Sequence, residues 1–144
     1  MQFHRGRLID HLLISVKDID TSRSFFEPVL AVFKVPIDRE GDGWFLADEL
    51  MVTEEKRRFG RVRFAFQARS NETVDRFYDV SLEVGGKSKR APDFDADIHP
   101  YYYSAAVGDP DGNIIEAVCH GPIKRSAASV VIKPSSLELI KSFF

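Results

Sequence analysis

Apolar residues along this chain recur in two rhythms, and the order of those rhythms is repeated. In IDHLLISV, residues 9–16, Leu12, Ile14 and Val16 share one face of a strand, while His11, Leu13 and Ser15 share the other. Asp18 or Asp20 then caps a helix beginning near Thr21, in which Phe25, Phe26, Val29, Leu30 and Phe33 recur at helical spacing. Pro28 is expected to kink or shorten that helix. Within residues 35–53, VPI, GWFLA and ELMVT predict three short strands, and EEKRRFGR follows as a polar connector.

The pattern then restarts. VRFAFQA, residues 62–68, puts Val62, Phe64, Phe66 and Ala68 on one face and Arg61, Arg63, Ala65 and Gln67 on the other. Ser70 or Asn71 caps a second helix with an apolar stripe of Val74, Phe77, Tyr78 and Leu82, and Gly85-Gly86 is its stop. KSKRAPDFDADIHP reads as a variable loop leading into the strand YYYSAAV. Asp109-Pro110-Asp111-Gly112 makes a tight turn, from which IIEAVCH returns as the last strand of a hairpin.

The two halves are in register. His11 and Arg63 lie 52 positions apart (63 − 11), as do Phe26 and Tyr78 of the two helices (78 − 26). Each half predicts strand, helix and three strands, a βαβββ unit written twice over about 8–53 and 62–120. The predicted fold is therefore α+β: one domain over residues 1–122, its two modules forming a curved mixed sheet around a cavity. The large apolar residues of the strands suit burial beneath the helices, which leaves His11, Arg63 and Glu116 for the cavity side. Residues 123–144 form a C-terminal extension, with SVVI as a short extended piece and a terminal helix from Ser135 or Ser136. Its Leu137, Ile140 and Phe144 pack on their own domain or on a second subunit.

Composition narrows the function classes. At 144 residues the chain suits a single domain that buries roughly 68–70% of its unfolded surface. The net charge is −2, no stretch has the apolar length of a membrane span, and MQFHRGRL lacks the apolar core of a signal peptide. A single cysteine, Cys119, fits a reducing, cytoplasmic setting, where a small buried hydrophobe is its ordinary role. Lys56, Arg57, Arg58 and Arg61 make a basic run at the module connector, but no aromatics interleave it as in a nucleic-acid groove. Neither nucleic acid nor membrane is expected as a partner.

Glu116 is the awkward residue, a carboxylate inside the apolar run IIEAV, where an unpaired charge is too costly to bury. Its surroundings carry a resemblance. IDHLLISVKDIDTSRSFFEPVL, VRFAFQARSNETVDRFY and HPYYYSAAVGDPDGNIIEAVCH resemble the vicinal-oxygen-chelate superfamily, which groups glyoxalase I, bleomycin-resistance proteins and extradiol dioxygenases. The resemblance covers roughly residues 8–120 and implies the paired βαβββ fold. It also implies metal ligands on the first strand of each module and a carboxylate on the last strand. His11 and Glu116 match two of these places. Arg63 stands where the middle histidine would be, and Met51 where glyoxalase I has a further carboxylate.

Two arrangements are open. A guanidinium has no lone pair to donate and its charge repels a cation, and a thioether suits hard cations poorly. His11 and Glu116 would then need His99, folded inward, to hold a divalent zinc, nickel, manganese or iron ion. The resemblance implies lyase, isomerase or ring-opening dioxygenase chemistry for such a site, with Glu116 as a base. Alternatively, Arg63 and Glu116 pair across the cavity with no cofactor. The pair is then the polar floor of a pocket lined by Leu13, Met51 and aromatic side chains. Of Tyr101, Tyr102 and Tyr103, one or two should point inward, and Tyr101 or Tyr103 could donate to a carbonyl or phenolate. The expected partner in either case is a small organic molecule; a degenerate scaffold with no ligand is a third outcome. A homodimer is implied by the resemblance and suggested by the apolar tail.

Overall fold

Asp18 starts the first helix by accepting from the backbone N–H of Thr21 at 2.7 Å, and Ser70 does the same for the second through Thr73 at 3.2 Å. Such caps each stabilise a helix by about 1 kcal/mol. They sit 52 positions apart (70 − 18), so the repeat extends to the caps. In the computed structural model, residues 3–5, 12–56, 61–121 and 130–132 are described. The elements are β1 (Phe3–Arg5), β2 (Leu12–Val16), α1 (Ile19–Val32), β3 (Arg39–Gly41), β4 (Trp44–Ala47), β5 (Leu50–Glu54), β6 (Arg63–Gln67), α2 (Asn71–Glu83), β7 (Lys87–Phe94), β8 (Tyr103–Gly108), β9 (Ile114–Cys119) and β10 (Val130–Ile132).

The fold is α+β, with two βαβββ modules. Their strands form two four-stranded mixed sheets, in the orders β2-β5-β4-β3 and β6-β9-β8-β7. In each, the first strand runs parallel to the last, as the crossover through a helix demands, and the other pairings are antiparallel. Among the described residues, the strands of each module pair only with one another, giving two sheets. The modules join through their cores: Phe33, just past α1, lies 5.1 Å from Phe66 and 5.8 Å from Phe77 between ring centroids. The N–H of Lys17 also donates to Asp111 Oδ1 at 3.0 Å, tying the end of β2 to the β8–β9 turn.

The helix α1 continues through Pro28 to Val32. Three local expectations change. VPI is not a strand; the third strand of the first module is Arg39–Gly41 instead. KSKRAPDF is strand β7, not loop. It is an edge strand, where charged residues and a proline are tolerated, and its register shifts between Ser88 and Arg90 and between Arg90 and Asp93. The tyrosine strand begins only at Tyr103. SVVI contributes β10, which pairs antiparallel with β1. The expected terminal helix lies outside the described residues.

Strand alternation sorts the core. Ile14, Val16, Phe45, Ala47, Leu50, Val52, Ala105, Val107, Ile115 and Ala117 are buried in one cluster with Phe25, Phe26, Val29, Val74 and Phe77 of the helices. Full burial of each large member is worth about 1.5–3 kcal/mol. Cys119 belongs to this cluster, as its place in an apolar strand suggested.

Candidate functional site

The other face of each sheet carries no described helix. On the first sheet it presents Leu13 and Ser15 of β2, Met51 and Thr53 of β5, and Trp44 and Leu46 of β4, which follow from the pairings Leu13–Met51, Ser15–Thr53, Leu46–Met51 and Trp44–Thr53. On the second sheet, one row of paired residues reads Ala65, Glu116, Ala106, Arg90 across its four strands. Met51, Leu46, Ala106 and Val118 are all buried yet stand apart from the helix-side core cluster. These four sit on the central strands of the two sheets, whereas Leu13 on β2 and Ala65 on β6 are exposed, so this face is covered at its middle and open along the first strand of each module. It is the side on which the sequence placed the site.

Glu116 is 9% exposed and accepts a hydrogen bond at Oε1 from Arg63 Nη2, which also makes the ion pair. The carboxylate thus faces a cation. Arg63 begins β6 opposite Ile114, and its side chain reaches two residues along the sheet to Glu116. Ala65 and Ala106 flank Glu116 on the neighbouring strands, so short side chains leave room for that reach. The two partners differ in environment: the Arg63 side chain is 69% exposed, that of Glu116 only 11%. A buried carboxylate therefore anchors an exposed guanidinium that keeps further N–H donors, since five exceed what one oxygen can accept.

Met51 is 1% exposed and directly paired with Leu13, as Glu116 is with Ala65. With Leu13 and Ala65 also 52 positions apart (65 − 13), Met51 and Glu116 hold matching places in the two modules. His11 lies outside the described residues.

The remaining candidates are not brought to Glu116. His99 Nε2 lies 2.9 Å from His120 Nδ1, with the two rings stacked at 5.2 Å and Tyr102 edge-on to both. His120 is four residues beyond Glu116, roughly 13 Å along an extended chain, so this contact holds His99 away from the carboxylate. The inward-folded His99 expected of a three-ligand site is not found. Tyr101 is exposed and precedes the strand. Tyr103 points to the helix side, where its hydroxyl donates to Asp75 Oδ1 of α2 at 2.7 Å. That hydrogen bond, reinforced by burial, pushes the phenol up to about 12. Both tyrosines are thus turned from the role of donor beside Glu116; strand phase explains Tyr103, and the later strand start explains Tyr101.

One residue of this face escaped the sequence reading. Arg90 of β7 is paired with Ala106, donates from Nη2 to Ser104 Oγ of β8, and has Nη1 3.7 Å from Asp95 Oδ2. Its segment reads as loop in the sequence, which assigns it no face.

The donor set can be tested against a divalent metal. Among the described residues, no three histidine, cysteine, aspartate or glutamate side chains gather as a cation site. Glu116 is committed to a guanidinium, and the matching position in the first module offers a thioether. A guanidinium and a thioether suit a hard divalent cation poorly, and His11, the other candidate ligand, lies outside the described residues.

The chain is similar in fold to several solved structures. A glyoxalase/bleomycin resistance protein from Albidiferax ferrireducens T118 superimposes with a TM-score of 0.66 at 22% identity, over 76% of this chain and 96% of that one. This is the glyoxalase/bleomycin-resistance fold. A glyoxalase/bleomycin resistance protein/dioxygenase family enzyme from Burkholderia phytofirmans PsJN gives 0.63 at 16% identity, over 77% and 97% of the two chains. A lactoylglutathione lyase from Agrobacterium tumefaciens gives 0.57 at 17%, over 76% and 90%. The glyoxalase-like fold is the one that the vicinal-oxygen-chelate resemblance implied. No protein-family model matches the chain, and no curated protein sequence does. No helix among the described residues is long and apolar enough to cross a membrane.

Proposed function

We propose that this glyoxalase-like protein binds a small organic molecule on the helix-free side of its sheets without a metal, in the manner of a sequestering protein. One observation carries the reading: Arg63, which the resemblance sets where a ligand histidine would be, bonds the carboxylate of Glu116. The same bond argues against Glu116 as a general base. The guanidinium occupies a carboxylate oxygen that a substrate proton would have to reach. Leu13, exposed beside the buried Met51, offers apolar surface of the kind that small-molecule sites use, and Arg63 supplies the polar group that orients.

Elemental analysis and a zinc and nickel titration of the purified protein, beside Arg63→His, test this. The parent is expected to take up no stoichiometric metal. The variant, with Glu116 released and an imidazole supplied, is expected to bind on the order of 10–100-fold more tightly. A parent that binds one metal per chain, lost on Glu116→Gln, would overturn the reading.

A further inference from the structure

Arg63 and Arg90 stand on the same face of one sheet, and each is held by that sheet. Arg63 is fixed through Glu116 on β9, and Arg90 through Ser104 on β8 and Asp95 beyond β7. Glu116 is paired with Ala106 and Ser104 with Val118, so the two anchoring side chains lie one strand and one face-repeat apart. With strands about 4.8 Å apart and same-face residues about 6.7 Å apart along a strand, those anchors are roughly 8 Å from one another. Between those anchors lie Ala106 and Val118, both apolar and buried, so the surface here is that of the arginines themselves.

Charge decides what fits. Each guanidinium already has one carboxylate, Glu116 or Asp95, so the pair of arginines and the pair of acids balance. Each also retains unused N–H donors on a partly exposed side chain, 69% for Arg63 and 40% for Arg90. Guanidinium forks match planar carboxylates, at about 2.8 Å per bond, and two facing forks can share one. The site is therefore net neutral, so a monoanion is held by the unused N–H donors and not by excess charge, and a dianion would add twice the uncompensated charge beside Glu116 and Asp95.

We propose that Arg63 and Arg90 together hold the carboxylate of a small organic monoacid. The assignment rests on the small-molecule reading above and names the class of its ligand. Glu116, Ser104 and Asp95 are then positioning residues, which aim the two forks.

The test uses the full chain and the fluorescence of its single tryptophan, Trp44, which lies on the helix-free face of the first sheet. Calorimetry is run in parallel. The probes are acetate, butyrate and phenylacetate, their neutral amides, and phenyl phosphate. Phenylacetate is expected to bind at least about tenfold more tightly than phenylacetamide, because an amide offers the forks no charge. Arg63→Lys and Arg90→Lys keep the positive charge and remove the fork; each is expected to lose about tenfold for the acid and nothing for the amide. Thermal unfolding of both variants separates lost binding from lost fold.

Equal binding of acid and amide, still sensitive to Arg63, would overturn the carboxylate assignment and leave the small-molecule reading standing. Tighter binding of phenyl phosphate than of phenylacetate would overturn the monoacid. Full binding of the acid by Arg90→Lys would remove Arg90 from the site. Binding of none of the acids or amides would overturn both this assignment and the reading on which it rests.

Discussion

Met51 and Glu116 occupy matching places in two copies of one βαβββ unit, each on the last strand and beside the residue that the repeat equates. Both side chains are enclosed, but by different means. Met51 needs only apolar neighbours. Glu116 needs a cation, and the second module supplies one in Arg63. The contrast shows that the repeat fixes backbone geometry while leaving each module free to choose its chemistry. The first contributes apolar wall and the second contributes charge, so the candidate site is asymmetric although the scaffold is nearly symmetric.

The sharpest way to break that contrast is to give the first module the acid without its cation. Met51→Glu would bury a carboxylate with no partner, and is expected to cost about 3–5 kcal/mol at neutral pH. Burial raises the folded-state pKa of such an acid above its unfolded value of about 4.3. The loss should therefore shrink as pH falls through the raised value, which urea unfolding across acid pH would show. A variant as stable as the parent at neutral pH would mean that the first module already holds a cation for that place.

Removing the cation from the second module should do less. Arg63→Met leaves Glu116 enclosed, but water reaches the side that the exposed arginine vacates, so a loss of about 1–3 kcal/mol is expected rather than the cost of a fully buried orphan. Arg63→Met with Glu116→Gln should recover a good part of it. A double-mutant cycle with no coupling between the two positions would show that the pair contributes nothing to the fold.

The smallest effect concerns the helix side, where the modules also differ. Tyr103 donates to Asp75, and its raised pKa of about 12 means that the neutral phenol is favoured by the fold. That contribution is fully present below the unfolded value near 10 and is lost as pH rises from about 10 to about 12. Tyr103→Phe should remove the late tyrosinate titration and flatten the fall in stability across that window, both readable by ultraviolet absorbance and urea unfolding. An unchanged late titration in the variant would assign it to another tyrosine.

Much of this architecture was legible in the residues. The 52-residue register, the alternation in LLISV and RFAFQ, and both caps predicted the modules and the face on which Arg63 and Glu116 meet. What was not legible depended on strand phase and on distant partners. KSKRAPDF lacks the apolar alternation of a half-buried strand because it is an edge with few buried side chains, so Arg90 went unplaced. Tyr103 could face either way until the start of β8 was fixed. His99 was free to reach Glu116 until His120, 21 residues later, proved to hold it. No local pattern records such a contact.

Phe33 carries a consequence for synthesis. Its aromatic neighbours Phe66 and Phe77 are encoded in the second module, more than 30 residues downstream. Chains emerge at about 5–20 residues per second, so the first module can complete its own sheet seconds before those rings arrive. During that interval the aromatic seam between the halves is an open, sticky surface on a nascent chain. Aggregation of this protein should thus respond to translation speed across residues 55–77 more than to the stability of the finished fold.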